Sequence, residues 1–470
     1  MKNTNLIYGV SDKPGIWKTI VFALQQVLAI LAATIVVPVI ISFNTDLNAS
    51  GIYPGMSQAA ALFGAGVGTI VYLLITKFKS PVFLGSSFAF IGSMLVAFAS
   101  AAANVMLGYV GLIIGAIFAG LVYAVIAIIV KLAGTNWIDK IMPAAVIGPT
   151  VAVIGLSLAG NAVGDLVKGS VVDATGAAVA NPFIALFCGL VTLATVIACS
   201  VYGKKMLKMI PFIVGIGAGY LVATIFTVIG TLTKTDALMV IDFSKFSNMD
   251  PFPTFSFINA FNGIKGISFS YVATIAVAYV PVAFVVFAEH LADHKNISSI
   301  IGTDLTKDPG LHRTLLGDGI GSIVGAFFGG CPNTTYGESV GCVAISGNAS
   351  VVTILTAAII CIISSFIAPF VTLLATIPAC VMGGVCFTLY GFIAVSGLKM
   401  IQKVDLNENS NLFTVSVILI AGVGGLVLNI GKVTLTAVAC ALILGILVNL
   451  LCSKANKKTN EEVKDEKEAA

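Results

Sequence analysis

The chain has 470 residues, of which 58% are hydrophobic and only 10% are charged, and its formal net charge is +4. Soluble proteins carry about 25% charged residues, so this composition excludes an ordinary soluble enzyme and predicts a helical membrane protein. The small basic excess follows from the topology expected of such a protein and does not indicate nucleic-acid binding.

Apolar segments follow one another along almost the whole chain. Runs such as 21–42 and 106–130 are long enough to cross a hydrocarbon core about 30 Å thick as helices. The pattern predicts about fourteen spans, centred near residues 30, 67, 92, 118, 148, 190, 218, 280, 320, 340, 360, 385, 418 and 442. An even number places both termini on one side. That side would hold most of the 25 Lys and Arg residues, so the termini are predicted to be cytoplasmic.

The remaining composition points to a multi-pass protein of the cell membrane without catalytic motifs. The charged stretch 454–470 has no apolar period and predicts a disordered cytoplasmic tail. The nine cysteines form no C-x-x-C pair and are typical of small packing residues. The glycine-rich stretch 317–325 (GDGIGSIVG) favours close helix packing over nucleotide binding, because no strand precedes it. We expect no enzymatic activity, no metal site and no cofactor.

Two stretches interrupt predicted spans. They are SPVFLGSSFAF (80–90) in the third and GGCPNTTYGESVG (329–341) in the tenth. Each has a proline, then two hydroxyl residues and an aromatic residue, Phe88 or Tyr336. Irregular backbone at membrane depth is tolerated where it lines a cavity or is buried in protein. The matching positions predict two seven-span repeats of opposite orientation, as in secondary transporters. Half-helices starting after Phe88 and after Tyr336 or Gly337 would direct backbone amides at one central site.

Three acidic residues fall at predicted membrane depth, namely Glu289, Asp318 and Glu338. A charge there costs about 2.5–3.5 kcal/mol, so such residues usually face a functional cavity. The alternative for each glutamate is a protonated group that bonds to a neighbouring helix. We interpret Asp318 as structural, because its segment is rich in glycine.

The three histidines, His290, His294 and His312, lie within one short part of the sequence. Metal binding by this group is conceivable but is not the favoured interpretation. His312 stands beside Arg313 in a predicted cytoplasmic loop, and we interpret it as a helix-entry residue.

Several motifs together resemble one transporter family. They are YGVSDKP near the start, LQQVLAILAATIVVPV (24–39), GSSFAF (85–90), AEH (288–290), DPGLHR (308–313) and PNTTYGES (332–339). The chain is thereby similar, over residues 7–453, to the nucleobase–cation symporter (nucleobase/ascorbate transporter) family, and most of all to its bacterial uracil permeases. The resemblance implies short antiparallel strands within spans 3 and 10, with the substrate between a core domain and a gate domain. It implies a core of residues 1–132 and 264–371, an external loop of 233–263, and a gate of residues 133–232 and 372–453.

The resemblance also implies site residues. The carboxylates of Glu289 and Glu338 would hold a pyrimidine, and the backbone amides of Phe88 and Gly337 would bind its carbonyls. The side chains of Ala33 and Tyr336 would line the pocket. The chemistry agrees, because uracil has two N–H donors and two carbonyl acceptors, and charge-assisted bonds to carboxylates are about twice as strong as neutral ones. A site with carboxylates and no Lys or Arg would repel anions.

Two residues depart from the uracil permease pattern. Asp293 stands where those permeases usually have histidine, with His294 next to it, and xanthine-type relatives carry an aspartate there. Ser339 replaces the usual asparagine. Both changes weaken the assignment of the base.

The function expected from the sequence is proton-coupled import of uracil by movement of the core against the gate. A carboxylate that enters a desolvated pocket can take up a proton near neutral pH, so Glu289 is the predicted coupling residue. Asp293, one helical turn on, and His294 are further candidates for proton coupling. The alternatives are the same fold carrying a purine such as xanthine, or a passive nucleobase channel. The expected partners are a nucleobase, a proton and the lipid bilayer, and a homodimer is left open.

Overall fold

The computed structural model describes residues 6–44, 55–101, 104–134, 137, 142–172, 178–204, 206–247, 249, 252–430 and 433–452. Its α-helices are α1 (Ile16–Asn44), α2 (Gln58–Ile75), α3 (Ile91–Ala99), α4 (Val105–Ala133), α5 (Ala144–Ser157), α6 (Ala159–Asp165), α7 (Pro182–Tyr202), α8 (Met206–Met209), α9 (Pro211–Thr233), α10 (Ser256–Gly263), α11 (Phe269–Ile301), α12 (Leu311–Gly329), α13 (Gly337–Ser346), α14 (Val351–Ser364), α15 (Ala368–Ala375), α16 (Ala379–Ile401), α17 (Asn409–Val423) and α18 (Ala437–Cys452). The strands are β1 (Leu84–Ser86), β2 (Asn333–Thr335), β3 (Leu428–Ile430) and β4 (Val433–Leu435). The predicted disordered tail, 454–470, lies outside the described residues.

Local sequence explains where several helices begin. The Ser57 hydroxyl accepts a hydrogen bond from the Ala60 N–H at 3.1 Å and caps α2, while Ser268 caps α11 through the Tyr271 N–H at 3.2 Å. Helices α7 and α9 start with proline, whose missing N–H costs nothing in the first turn. His312 lies in the first turn of α12, as expected of a helix-entry residue.

The helical, multi-pass character predicted from composition is confirmed. In the described residues, 8 helices are long and apolar enough to cross a membrane, or up to 9 if the bent pair α14 and α15 forms one span. Each predicted span centre falls within a helix. Helices α17 and α18 are shorter, and the third and tenth segments are interrupted, so the count of fourteen and the inverted repeat stay predictions.

The two predicted interruptions pair with each other. β1 and β2 are antiparallel, with Leu84 opposite Thr335 and Ser86 opposite Asn333. Helix α13 begins at Gly337, as predicted, whereas α3 begins at Ile91, two residues later than the predicted start directly after Phe88. The β3–β4 pair near the end of the chain was not anticipated.

Small residues bring helices α2, α4 and α12 close together. A Cβ atom on Gly64 in α2 would lie 2.8 Å from the Gly325 carbonyl in α12, and one on Gly120 in α4 would lie 3.1 Å from the Gly319 carbonyl. The glycine-rich stretch 317–325 therefore serves close packing, as the sequence indicated.

A second packing group is formed by helices from both halves of the chain. Helix α5 packs against α16 and α17, and α7 packs against α9 and α16. The interval predicted as an external loop, 233–263, contains short helical turns and α10. The division into core and gate domains stays a prediction.

Candidate functional site

A cavity of about 500 Å3 lies where the two interrupted segments meet. Its lining includes Phe88, Glu289, Asp293 and the run from Thr334 to Glu338. Side chains from α5, α9 and α16 line it as well. A volume of this size lies within the usual range of about 300–1,000 Å3 for small-molecule sites.

Tyr336 lines the cavity and joins the two strands. Its N–H donates to the Phe83 carbonyl at 3.2 Å, and its hydroxyl donates to the Ser86 carbonyl at 2.8 Å. Its ring lies against Gly85, so closely that a Cβ atom on Gly85 would overlap it. Only glycine at position 85 therefore lets the aromatic ring stand beside the cavity in this position.

Gly337 opens α13 and faces the cavity. An α-helix leaves its first N–H groups without intrahelical partners, so the start of α13 presents donors to a bound molecule. Among the described residues, a Cβ atom on Gly337 would meet only the Asp293 carboxylate within 4 Å, at 3.7 Å. The space in front of this residue is therefore open for a ligand.

Three carboxylates line the same cavity. Glu289 and Asp293 are one turn apart on α11, and Glu338 belongs to the first turn of α13. The Thr335 hydroxyl donates to Asp293 at 2.9 Å and fixes the position of that carboxylate. The structure thus places Glu289 and Glu338, the two predicted binding carboxylates, on one cavity and adds Asp293 to its wall.

Lys208 of the short helix α8 also lines the cavity, which corrects the expectation of a site without Lys or Arg. Its side chain is exposed. A cationic residue thus lies on the same cavity as the carboxylates. The sequence carries no signal for it, because a basic residue between two apolar spans indicates only on which side of the membrane the loop lies.

A buried polar network lies next to the carboxylates but does not line the cavity. His290 Nδ1 is 2.7 Å from Asp318 Oδ2, and His290 Nε2 is 3.0 Å from the Thr314 hydroxyl. His294 Nε2 is 2.7 Å from the Tyr72 hydroxyl, and the two imidazole rings stack at 4.0 Å. Asp318 thus bonds to a neighbouring helix, in keeping with its interpretation as structural.

Ser339, one of the two departures from the uracil permease pattern, points away from the cavity. Its hydroxyl accepts from the Phe83 N–H at 3.0 Å and from the Gln26 side-chain amide. The residue is fully buried and links α13 to α1 and to Phe83, the residue directly before β1. Its substitution therefore says little about which base the cavity accepts.

Other predicted site residues have mixed placements. Phe88 lines the cavity, and its ring centroid is 6.1 Å from that of Tyr390 on α16. Ala33 is buried at 1% exposure and is not among the lining residues, whereas Ala29, one turn earlier on α1, is. Helix α16 contributes an apolar wall that includes Leu389 and Ile393. The sequence does not predict this wall, because its residues resemble those of any other membrane span.

Sequence comparisons identify full-length relatives. The chain is 37% identical over 461 residues to the uracil permease of Bacillus subtilis (strain 168), with 97% of each chain covered. It is 38% identical over 448 residues to that of Bacillus caldolyticus, covering 95% of this chain and 94% of the relative. For the uracil permease of Escherichia coli (strain K12) the identity is 35% over 462 residues, covering 98% and 97%.

Solved structures share the fold at low sequence identity. The transmembrane domain of a cyanobacterial bicarbonate transporter, BicA, aligns with a TM-score of 0.56 at 15% identity, covering 94% of this chain and 99% of that one. The structure of SLC26A9 aligns with a TM-score of 0.62 at 11% identity, covering 94% and 66%. At these identities the likeness concerns the fold alone.

A family model described as Permease family (Xan_ur_permease) matches residues 17–431, which include both interrupted segments and every carboxylate of the cavity. Together with the full-length relatives, this match shows that the chain belongs to that permease family and is a multi-pass membrane transporter, not an enzyme.

Proposed function

We propose that this protein imports uracil across the cell membrane together with protons, with both termini in the cytoplasm. The observation that carries the proposal is that hydrogen-bond acceptors and hydrogen-bond donors both line one cavity. The carboxylates of Glu289 and Glu338 suit the two N–H groups of the base, and the N-terminus of α13 suits a carbonyl. The names of the relatives support uracil as the substrate.

Binding would occur between the helices that carry the carboxylates and the wall formed by α16. The Phe88–Tyr390 contact joins these two sides in the present structure. Movement of one group of helices against the other would break this contact and expose the site alternately to each side of the membrane. This is the core-against-gate mechanism that the family resemblance implies.

Glu289 is our candidate for the coupling residue, with Asp293 and His294 as alternatives. Glu289 and Asp293 line the cavity, so a proton and a substrate can reach them together. His294 bonds to Tyr72 and lies behind the cavity wall, which makes it the weaker candidate. One proton crossing about 100 mV releases about 2.3 kcal/mol, and this supports roughly 50-fold accumulation of a neutral base at about 1.4 kcal/mol per tenfold.

A purine such as xanthine is a second candidate substrate, favoured by one observation. Asp293 adds a third acceptor to the cavity wall, and xanthine has one more N–H donor than uracil. Uptake of labelled uracil into proteoliposomes, with unlabelled uracil, xanthine, thymine and guanine as competitors, distinguishes the two. If unlabelled uracil inhibits uptake at a lower concentration than the other bases do, uracil is supported as the substrate. If xanthine inhibits at a lower concentration than uracil, the substrate is the purine.

A passive channel is the remaining alternative, and counterflow tests it. Vesicles preloaded with unlabelled uracil should transiently concentrate labelled uracil if the protein is a carrier. Label that only equilibrates, without an overshoot, would indicate a channel.

A further inference from the structure

The YGVSDKP motif near the start of the sequence has no role in the site described above, yet it bonds to the turn that directly follows the half-helix carrying Glu338. Residues 7–12, here termed the N-terminal strap, lie along the turn after α13. The Ile7 and Tyr8 N–H groups donate to the Gly347 carbonyl at 2.7 and 3.1 Å. In return, the Ala349 N–H donates to the Tyr8 carbonyl at 2.9 Å. Tyr8 and Asn348 thereby form a parallel β-bridge.

The strap is fixed at further points. The Val351 N–H donates to the Val10 carbonyl at 3.1 Å, and the buried Ser350 hydroxyl donates to the Asp12 carbonyl at 2.6 Å. The Asp12 carboxylate accepts from the Gly9 N–H at 2.7 Å, which closes a turn within the strap. The strap is thus bonded to the α13–α14 turn by backbone and side-chain groups at several successive positions.

Helix α13 needs such support because it is short. It has 10 residues, fewer than an isolated helix needs for stability in water, so its orientation depends on how its two ends are held. At the N-terminal end, Ser339 bonds to Gln26 and Phe83. At the C-terminal end, Gly347 adopts a left-handed conformation with φ of 66°, and its carbonyl is the group that the strap binds.

We propose that the N-terminal strap positions α13, and through it Glu338 and the Gly337 amide, for substrate binding. The corresponding half-helix α3 is not bonded to the strap in the described part of the chain, so it provides an internal reference. The part of this inference that concerns substrate binding rests on the proposed function. The effect of the strap on the position of α13 does not depend on a bound ligand.

The test uses two variants and a matched control. Ile7→Pro removes the N–H that donates to Gly347, and Ile7→Ala keeps that N–H while shortening a side chain that is 65% exposed. Ser350→Ala removes the hydroxyl that donates to the Asp12 carbonyl of the strap, and it remains informative if Ile7→Pro does not fold. Hydrogen–deuterium exchange of residues 337–346 and 91–99 is measured in the purified full-length protein without ligand, followed by the dissociation constant for uracil.

We expect Ile7→Pro and Ser350→Ala to speed exchange in 337–346 by about twofold to tenfold, the effect of one lost hydrogen bond. Exchange in 91–99 should stay unchanged, Ile7→Ala should behave like the parent, and uracil binding should weaken by a similar factor. Unchanged exchange in 337–346, or an equal rise in 91–99, would overturn the inference. If the parent protein itself does not bind uracil, the proposed function fails, while the exchange result still decides the role of the strap.

Discussion

Replacement of Gly337 by alanine should separate substrate binding from folding. Within the part of the chain that the structure describes, the new Cβ atom would meet only Asp293 Oδ1 within 4 Å, at 3.7 Å, which is an ordinary contact distance. Gly337 also lies in a helix and does not have a positive φ. Glycine in a helix costs about 0.5–1 kcal/mol relative to alanine, so the free energy of unfolding should stay the same or rise by up to about 1 kcal/mol.

Substrate binding should change in the opposite direction. The added methyl group occupies the space in front of the α13 amides, where we propose that a carbonyl of the base binds. Overfilling a packed site costs about 1–3 kcal/mol, which corresponds to a roughly 5-fold to 150-fold weaker dissociation constant. The β-branched variant Gly337→Val should abolish transport while the protein still inserts into the membrane.

The assay combines calorimetric uracil titration with thermal unfolding of the same purified protein. Gly341→Ala is the matched control, because Gly341 lines the cavity one turn further along α13 and a Cβ atom there meets nothing within 4 Å in the described structure. It should bind uracil almost normally. If Gly337→Ala binds as tightly as the parent, the base does not bind at the start of α13, and the proposed pose is wrong.

The remaining predictions concern the acidic residues. Glu338→Gln keeps the shape but turns an acceptor into a donor that faces the base, so binding should weaken by at least about 2 kcal/mol in a titration of the purified variant; unchanged affinity would remove Glu338 from the site. Glu289→Gln cannot titrate and should lose accumulation driven by an imposed pH gradient, even if uracil–uracil exchange survives; retained accumulation would move the coupling role to Asp293 or His294. Asp318→Asn keeps a side chain that can either donate to or accept from His290 Nδ1 and should unfold near the parent temperature, whereas Asp318→Ala leaves a buried nitrogen unpaired and should lose about 1–3 kcal/mol of stability. Equal unfolding temperatures for the two Asp318 variants would show that this bond does not support the fold.

The sequence was sufficient for the class of protein and for the residues around which the cavity lies. Long apolar runs can satisfy their backbone in a bilayer only as helices, so composition alone predicted a polytopic helical protein. The same constraint made the proline- and glycine-containing interruptions near Phe88 and Tyr336 conspicuous. Rare acidic residues at membrane depth, Glu289 and Glu338, then marked the cavity, because charge in that environment needs a functional or structural reason.

Only the tertiary structure decided which neighbours each residue has. Ser339 and Asp293 both stood out as departures from a family pattern, yet one bonds to Gln26 behind the site and the other lines the cavity. Lys208 reaches the cavity from a short helix that no periodicity could place there. These outcomes depend on which face of a helix meets a partner distant in the chain, and an apolar span carries little amphipathic signal for that choice, because lipid and protein interior are both apolar.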